Sequence, residues 1–141
     1  MNPKTGLQPT ISIDLVKPRI RIHKSTLQIM GNPEYIYLLI NPTERLIALK
    51  VAARSDPRAH HLSWSALHHK ASFEIYSVSL LETLISCSGW RRQNRYRICG
   101  QLISEHNIVQ FRIDEAFEYN PIESPSGRRV NDDRCGEDLM Y

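Results

Sequence analysis

Four arginines and two aromatic rings are interleaved in Trp90-Arg91-Arg92-Gln93-Asn94-Arg95-Tyr96-Arg97. Guanidinium groups neutralise and fork onto phosphates, and flat rings stack on bases, so this run points to a nucleic-acid contact. Trp, Tyr and Arg also dominate the energetic centres of protein interfaces, which keeps a protein partner open. The structural alternative packs Trp90 and Tyr96 on the core and leaves the arginines solvated. A second basic stretch, Arg19-Ile20-Arg21-Ile22-His23-Lys24, alternates with period two. A strand there turns Ile20 and Ile22 to one face and Arg19, Arg21 and His23 to the other, where they would lie against a phosphate backbone or simply against water.

His60, His61, His68 and His69 raise the question of a metal, because residues seven apart return to the same helical face. Adjacent histidines point apart, however, and no finger-type Cys/His spacing or HExxH accompanies them, so no metal site is assigned. GxSxG and glycine-rich phosphate loops are also missing. The expectation is a protein that is not an enzyme, with no catalytic residues and no cofactor.

The elements that must position these residues follow from periodicity. Ile11, Ile13 and Leu15 alternate with polar residues as a short strand, interrupted at Pro18 before the basic strand. Ser25 and Gln28 have capping-box spacing ahead of a short helix that ends at Gly31. Runs 34–40 and 45–51 flank Asn41-Pro42-Thr43-Glu44 and read as a hairpin. The order then returns: alternation at Phe73 and Ile75, capping-box spacing at Ser79 and Glu82, and two strand-like runs around Ser104-Glu105-His106. Ile22 matches Ile75 and Leu27 matches Leu80, whereas Ile47 matches Val109 and Leu49 matches Phe111 only after a nine-residue allowance near Trp90. A unit this short cannot bury its own apolar face, so two copies are expected to pack together.

The predicted class is α+β, with two β-α-β-β units packed as a pseudo-symmetric pair, mostly antiparallel strands and flexible termini. The expected divisions are an N-terminal arm with a short strand (1–17), a first unit (18–52), a basic His-rich linker containing a short helix (53–71), a second unit (72–119) and a disordered tail (120–141).

At 141 residues and 41% hydrophobic content the chain is long enough for one packed core. Its net charge of +3 is unevenly placed: residues 1–71 carry ten Lys/Arg against four Asp/Glu, and 72–141 carry eight against eleven. That asymmetry favours a polyanion or an acidic protein surface as partner. No apolar run approaches the roughly 20 residues that span a bilayer, and the first residues lack a secretory pattern, so no membrane contact and a cytoplasmic location are expected. Cys87, Cys99 and Cys135, odd in number and without CxxC spacing, read as unpaired thiols of a reducing compartment.

The string PRIRIHKSTLQIMGNPEYIYLLINPTERLIALKV, residues 18–51, resembles one unit of the swapped-hairpin proteins of the AbrB/MraZ type. The chain also resembles small uncharacterised proteins of phages and mobile elements. The first resemblance implies intertwined hairpins and DNA-binding transcription regulation. The Asp-x-x-x-Arg-type DNA-reading signature of MraZ proteins is missing, so no residue-level role transfers.

These readings converge on a non-enzymatic regulatory protein that binds DNA or a nucleic-acid-processing protein. Its candidate contacts are Arg19, Arg21, Lys24, Trp90, Arg91, Arg92, Arg95, Tyr96 and Arg97, and a homodimer is left open. The alternative is a phage- or mobile-element-borne inhibitor of anti-CRISPR type, blocking a nucleic-acid-guided nuclease by protein contact through the second unit and tail acids such as Asp132, Asp133, Glu137 and Asp138.

Overall fold

The computed structural model describes residues 8–54 and 56–120. The first seven residues and the tail acids therefore lie outside the described residues. Nine strands build one continuous, mostly antiparallel sheet that curls into a half-barrel, with three short helices, an α+β architecture in which the sheet dominates.

The strands are β1 (Thr10–Asp14), β2 (Arg19–His23), β3 (Tyr35–Asn41), β4 (Leu46–Val51), β5 (His60–His61), β6 (Ser72–Ile75), β7 (Arg95–Ile103), β8 (Ile108–Arg112) and β9 (Phe117–Glu118). Their spatial order is β5-β3-β4-β8-β7-β1-β2-β6, with β9 added beside β7. The long strand β7 joins the two halves: Arg95 to Cys99 pair with β1, and Gly100 to Ile103 pair with β8. Inward-facing Ile11, Ile13, Ile20, Ile22, Ile36, Ile47, Leu49, Ile98, Val109 and Phe111 are essentially inaccessible and form one shared core.

The helices are α1 (Lys24–Ile29), α2 (Trp64–Leu67) and α3 (Val78–Ser88). Both capping assignments shift. α1 starts after His23, which has no side-chain cap bond, so Ser25 is already inside the helix. α3 is capped by Ser77, whose hydroxyl accepts from the Leu80 N–H, so Ser79 also lies inside. Starting at Val78 turns Leu81 and Leu84 onto the sheet, and Gly89 closes the helix in the left-handed conformation at φ 78°. The expected linker helix is α2, preceded by the unforeseen β5; Trp64 Nε1 donates to the Pro33 carbonyl at 2.8 Å.

Cys87 is a free thiol, whereas Cys99 is disulfide-bonded, which corrects the reading of three unpaired thiols and removes the cysteine argument for a reducing compartment. No helix among the described residues is long and apolar enough to cross a membrane.

Candidate nucleic-acid interface

Four adjacent strands, β7-β1-β2-β6, place the basic residues. Alternation sends every second side chain to the face opposite the core, and register sets them in rows across the sheet. One row runs Arg97, Ser12, Arg21, Glu74. The next contains Arg95, Asp14 and Arg19. Four arginines from two strands thus share one face, flanking the central strand β1.

Two carboxylates organise them. Asp14 is buried, its Oδ2 lying 3.5 Å from Arg19 Nη2 and 3.3 Å from Arg95 Nε. Glu74 Oε2 lies 3.2 Å from Arg19 Nη1 and 3.6 Å from Arg21 Nε, and Tyr76 Oη donates to the same carboxylate. The Tyr76 hydrogen bond, followed by the charges of Arg19 and Arg21, holds the Glu74 carboxyl below its ordinary value against the opposing effect of burial. Among the described residues, four guanidiniums and two carboxylates meet on this face. Arg97 is buried, donates from Nε to Ser12 Oγ at 3.3 Å and sits 4.3 Å from the centre of the Tyr119 ring.

His23 completes this network from β2. Its Nε2 lies 2.9 Å from Ser12 Oγ, and burial, together with the charges of Arg97 and Arg21, lowers its pKa to about 4. The imidazole is therefore neutral at pH 7. Because the folded pKa lies below the ordinary 6.5, the unfolded chain takes up the proton first. Stability attributed to His23 is complete above pH 6.5 and falls as pH drops toward 4, by about 3 kcal/mol in all. Denaturant melts across this window should show that slope, and His23→Gln should flatten it; an unchanged slope would mean that other groups govern the acid limb.

The rest of the arginine-aromatic run divides by role. Arg95, Tyr96 and Arg97 are strand residues of β7. Tyr96 is a core residue, its Oη accepting from the Arg91 backbone N–H at 3.0 Å and from Asn94 Nδ2 at 3.2 Å. Trp90 is half-buried and stacks on Tyr96 at 4.6 Å. Both rings thus pack on the core, Tyr96 within it and Trp90 against it. Arg92 forms a two-pronged pair with Glu82 at 2.8 and 2.9 Å, while Arg91 is exposed. Lys24 opens α1 directly after β2, and its Nζ donates to the His68 carbonyl at 3.3 Å.

The histidines are scattered. His61 packs on Tyr35 and His68 on His69. Among the described residues no group of three or more His, Cys, Asp or Glu side chains is placed to hold a metal ion.

No family model, curated protein or solved structure matches this chain.

Sequence reasoning named the arginines but missed Ser12, Asp14, His23 and Glu74 as their partners. The signal was present: Ser12 and Asp14 alternate with Ile11 and Ile13, and Glu74 sits between Phe73 and Ile75, which puts all three on the polar phase of their strands.

Proposed function

We propose that this chain is a non-enzymatic regulatory protein that binds DNA, or a DNA-associated complex, through the outer face of β7-β1-β2-β6. The observation that carries the reading is the clustering of the partly exposed Arg19, Arg21 and Arg95 on one face beside the buried Arg97, with Asp14 and Glu74 setting their positions. Clustered guanidiniums on a sheet face follow a phosphate backbone, and their mutual packing reduces the entropy lost when each meets a phosphate. Lys24, directly after β2, and the exposed Arg91, ahead of β7, are further cations of this reading.

The proposal extends to the duplicated architecture and its AbrB/MraZ-type resemblance. A twofold matching Ile22 to Ile75 and Ile20 to Phe73 requires antiparallel pairing of β2 with β6 centred on Arg21 and Glu74. Matching Ile47 to Val109 and Leu49 to Phe111 requires pairing of β4 with β8 centred on Ala48 and Gln110. Both centres coincide with observed partners, which supports two equivalent β-α-β-β units.

Anisotropy titration of a labelled duplex over a salt series tests the reading. Affinity should fall steeply with salt, and Arg21→Ala and Lys24→Ala should each reduce the log-log slope by about one, uniformly across DNA sequences. No measurable binding at low salt would remove it.

A further inference from the structure

A second surface, which shares strand β6 and Glu74 with the arginine face, lies where the half-barrel fails to close. β1 is paired along both edges, with β7 and with β2. Among the described residues, β5 pairs only with β3, and β6 pairs only with β2. Between β5 and β6 lies a cavity of about 250 Å³, lined by His61, Leu67, Lys70, Phe73, Glu74 and Tyr76 among others.

The free edge of β6 has a defined hydrogen-bonding pattern. The Lys24 N–H donates to the Ala71 carbonyl at 2.9 Å, which makes that pair a hydrogen-bonded one. In an antiparallel ladder such pairs recur every second residue, so Phe73 and Ile75 bond to β2 while the backbone groups of Ser72 and Glu74 point into the seam. Those groups have no backbone partner among the described residues. Unpaired edge groups beside an apolar floor are the template for strand addition. Leu67 and Phe73 supply that floor, and Tyr76 (69% exposed) and Val78 (73% exposed) continue it beyond the end of β6.

Charge selects the occupant. Lys70 lines the seam beside the His61 imidazole, and Lys24 adjoins it at Ala71. Glu74, its one acidic lining residue, is already compensated by Arg19 and Arg21. We propose that the β5–β6 seam binds an extended acidic peptide segment of a partner protein, which adds to β6 as a further strand through the backbone of Ser72 and Glu74 and sets its carboxylates against Lys70 and His61.

The test uses the full chain, isotopically labelled, and a synthetic peptide of alternating glutamate and valine. Saturable shifts of the Ser72 and Glu74 amides and slowed hydrogen exchange at both are expected. Methylating the peptide's backbone nitrogens on the bonding edge should abolish binding, and Lys70→Glu, a change at an exposed residue, should weaken it about tenfold. Equal binding of a lysine-valine peptide, or no shift at Ser72 and Glu74 under saturating peptide, would overturn the proposal. So would protection of these amides in the free protein, assigned to the chain's own tail if deletion of residues 121–141 removes it and to a second copy if it depends on concentration.

Discussion

Replacing Asp14 by alanine is expected to cost about 3–5 kcal/mol, a large share of the roughly 5–15 kcal/mol that holds an ordinary domain together. The carboxylate is 2% exposed and carries two separate duties. Its Oδ1 accepts the Val16 and Lys17 backbone N–H groups, each at 3.0 Å, and so closes the turn between β1 and β2. Its Oδ2 faces Arg19 and Arg95, which approach from the strands on either side. Alanine would leave two turn amides without an acceptor and two largely covered guanidiniums facing each other. Arg19 is poorly placed to adapt, because its buried Nε already lacks a hydrogen-bond partner. Asp14→Asn keeps an acceptor for the turn and loses only the charge, so its cost should be less than half as large. Thermal denaturation would show the alanine variant falling by roughly 10–15 °C. Combining Asp14→Ala with Arg95→Ala should cost less than the sum of the single changes, because the second removes one uncompensated cation. A loss below about 1 kcal/mol for Asp14→Ala would mean that both arginines regain water, as exposed pairs do.

This dependence on Asp14 shows where sequence reading stops. The strand at Arg19 to His23 and the hairpin around Asn41-Pro42 are written locally, in alternating isoleucines and in a turn that Asn41 Oδ1 closes on the Glu44 N–H. The inward phase of Tyr96 is equally local, since it alternates with Arg95 and Arg97 and shares a side with Ile98. The order of strands is not local. β1 lies between β2, its neighbour in sequence, and β7, about eighty residues away, because the isoleucines of all three close one core. Periodicity gives each strand a face but no partner, so the arginines could be recognised while the carboxylates that bind them could not. Helix starts failed for a different reason. Ser77 and Ser79 both offer a capping hydroxyl, and the start at Ser77 is the one that turns Leu81 and Leu84 onto the sheet. The two residues of β5 carry no periodicity, and their pairing with Tyr35 and Ile36 is a tertiary event.

Gly100→Ala is expected to destabilise the fold by about 3 kcal/mol, the upper end of overpacking costs. The backbone there does not need glycine for its dihedral angles, and alanine in such a strand position is ordinarily favourable. The obstacle is space. A Cβ at Gly100 would lie 2.6 Å from the Gln110 carbonyl oxygen and 2.6 Å from two ring carbons of Phe111. Neither neighbour can yield cheaply, since the carbonyl belongs to the β7–β8 ladder and Phe111 is fully buried. Gly100 is itself held from the opposite side, its N–H donating to the Pro9 carbonyl at 2.8 Å and its own carbonyl accepting from Gln8 Nε2 at 3.1 Å. The first hairpin shows what the glycine makes room for. The β3–β4 hairpin sets Leu38 opposite Leu49, two medium side chains, whereas the β7–β8 hairpin sets Gly100 opposite Phe111. The volume is redistributed onto one ring, which covers the glycine backbone where β7 passes from β1 to β8. Phe111→Leu in the Gly100→Ala background should therefore recover part of the loss, because it relieves the ring contact and leaves the carbonyl contact in place. Full additivity of the two changes in chemical denaturation would show that the ring is not what excludes the methyl group.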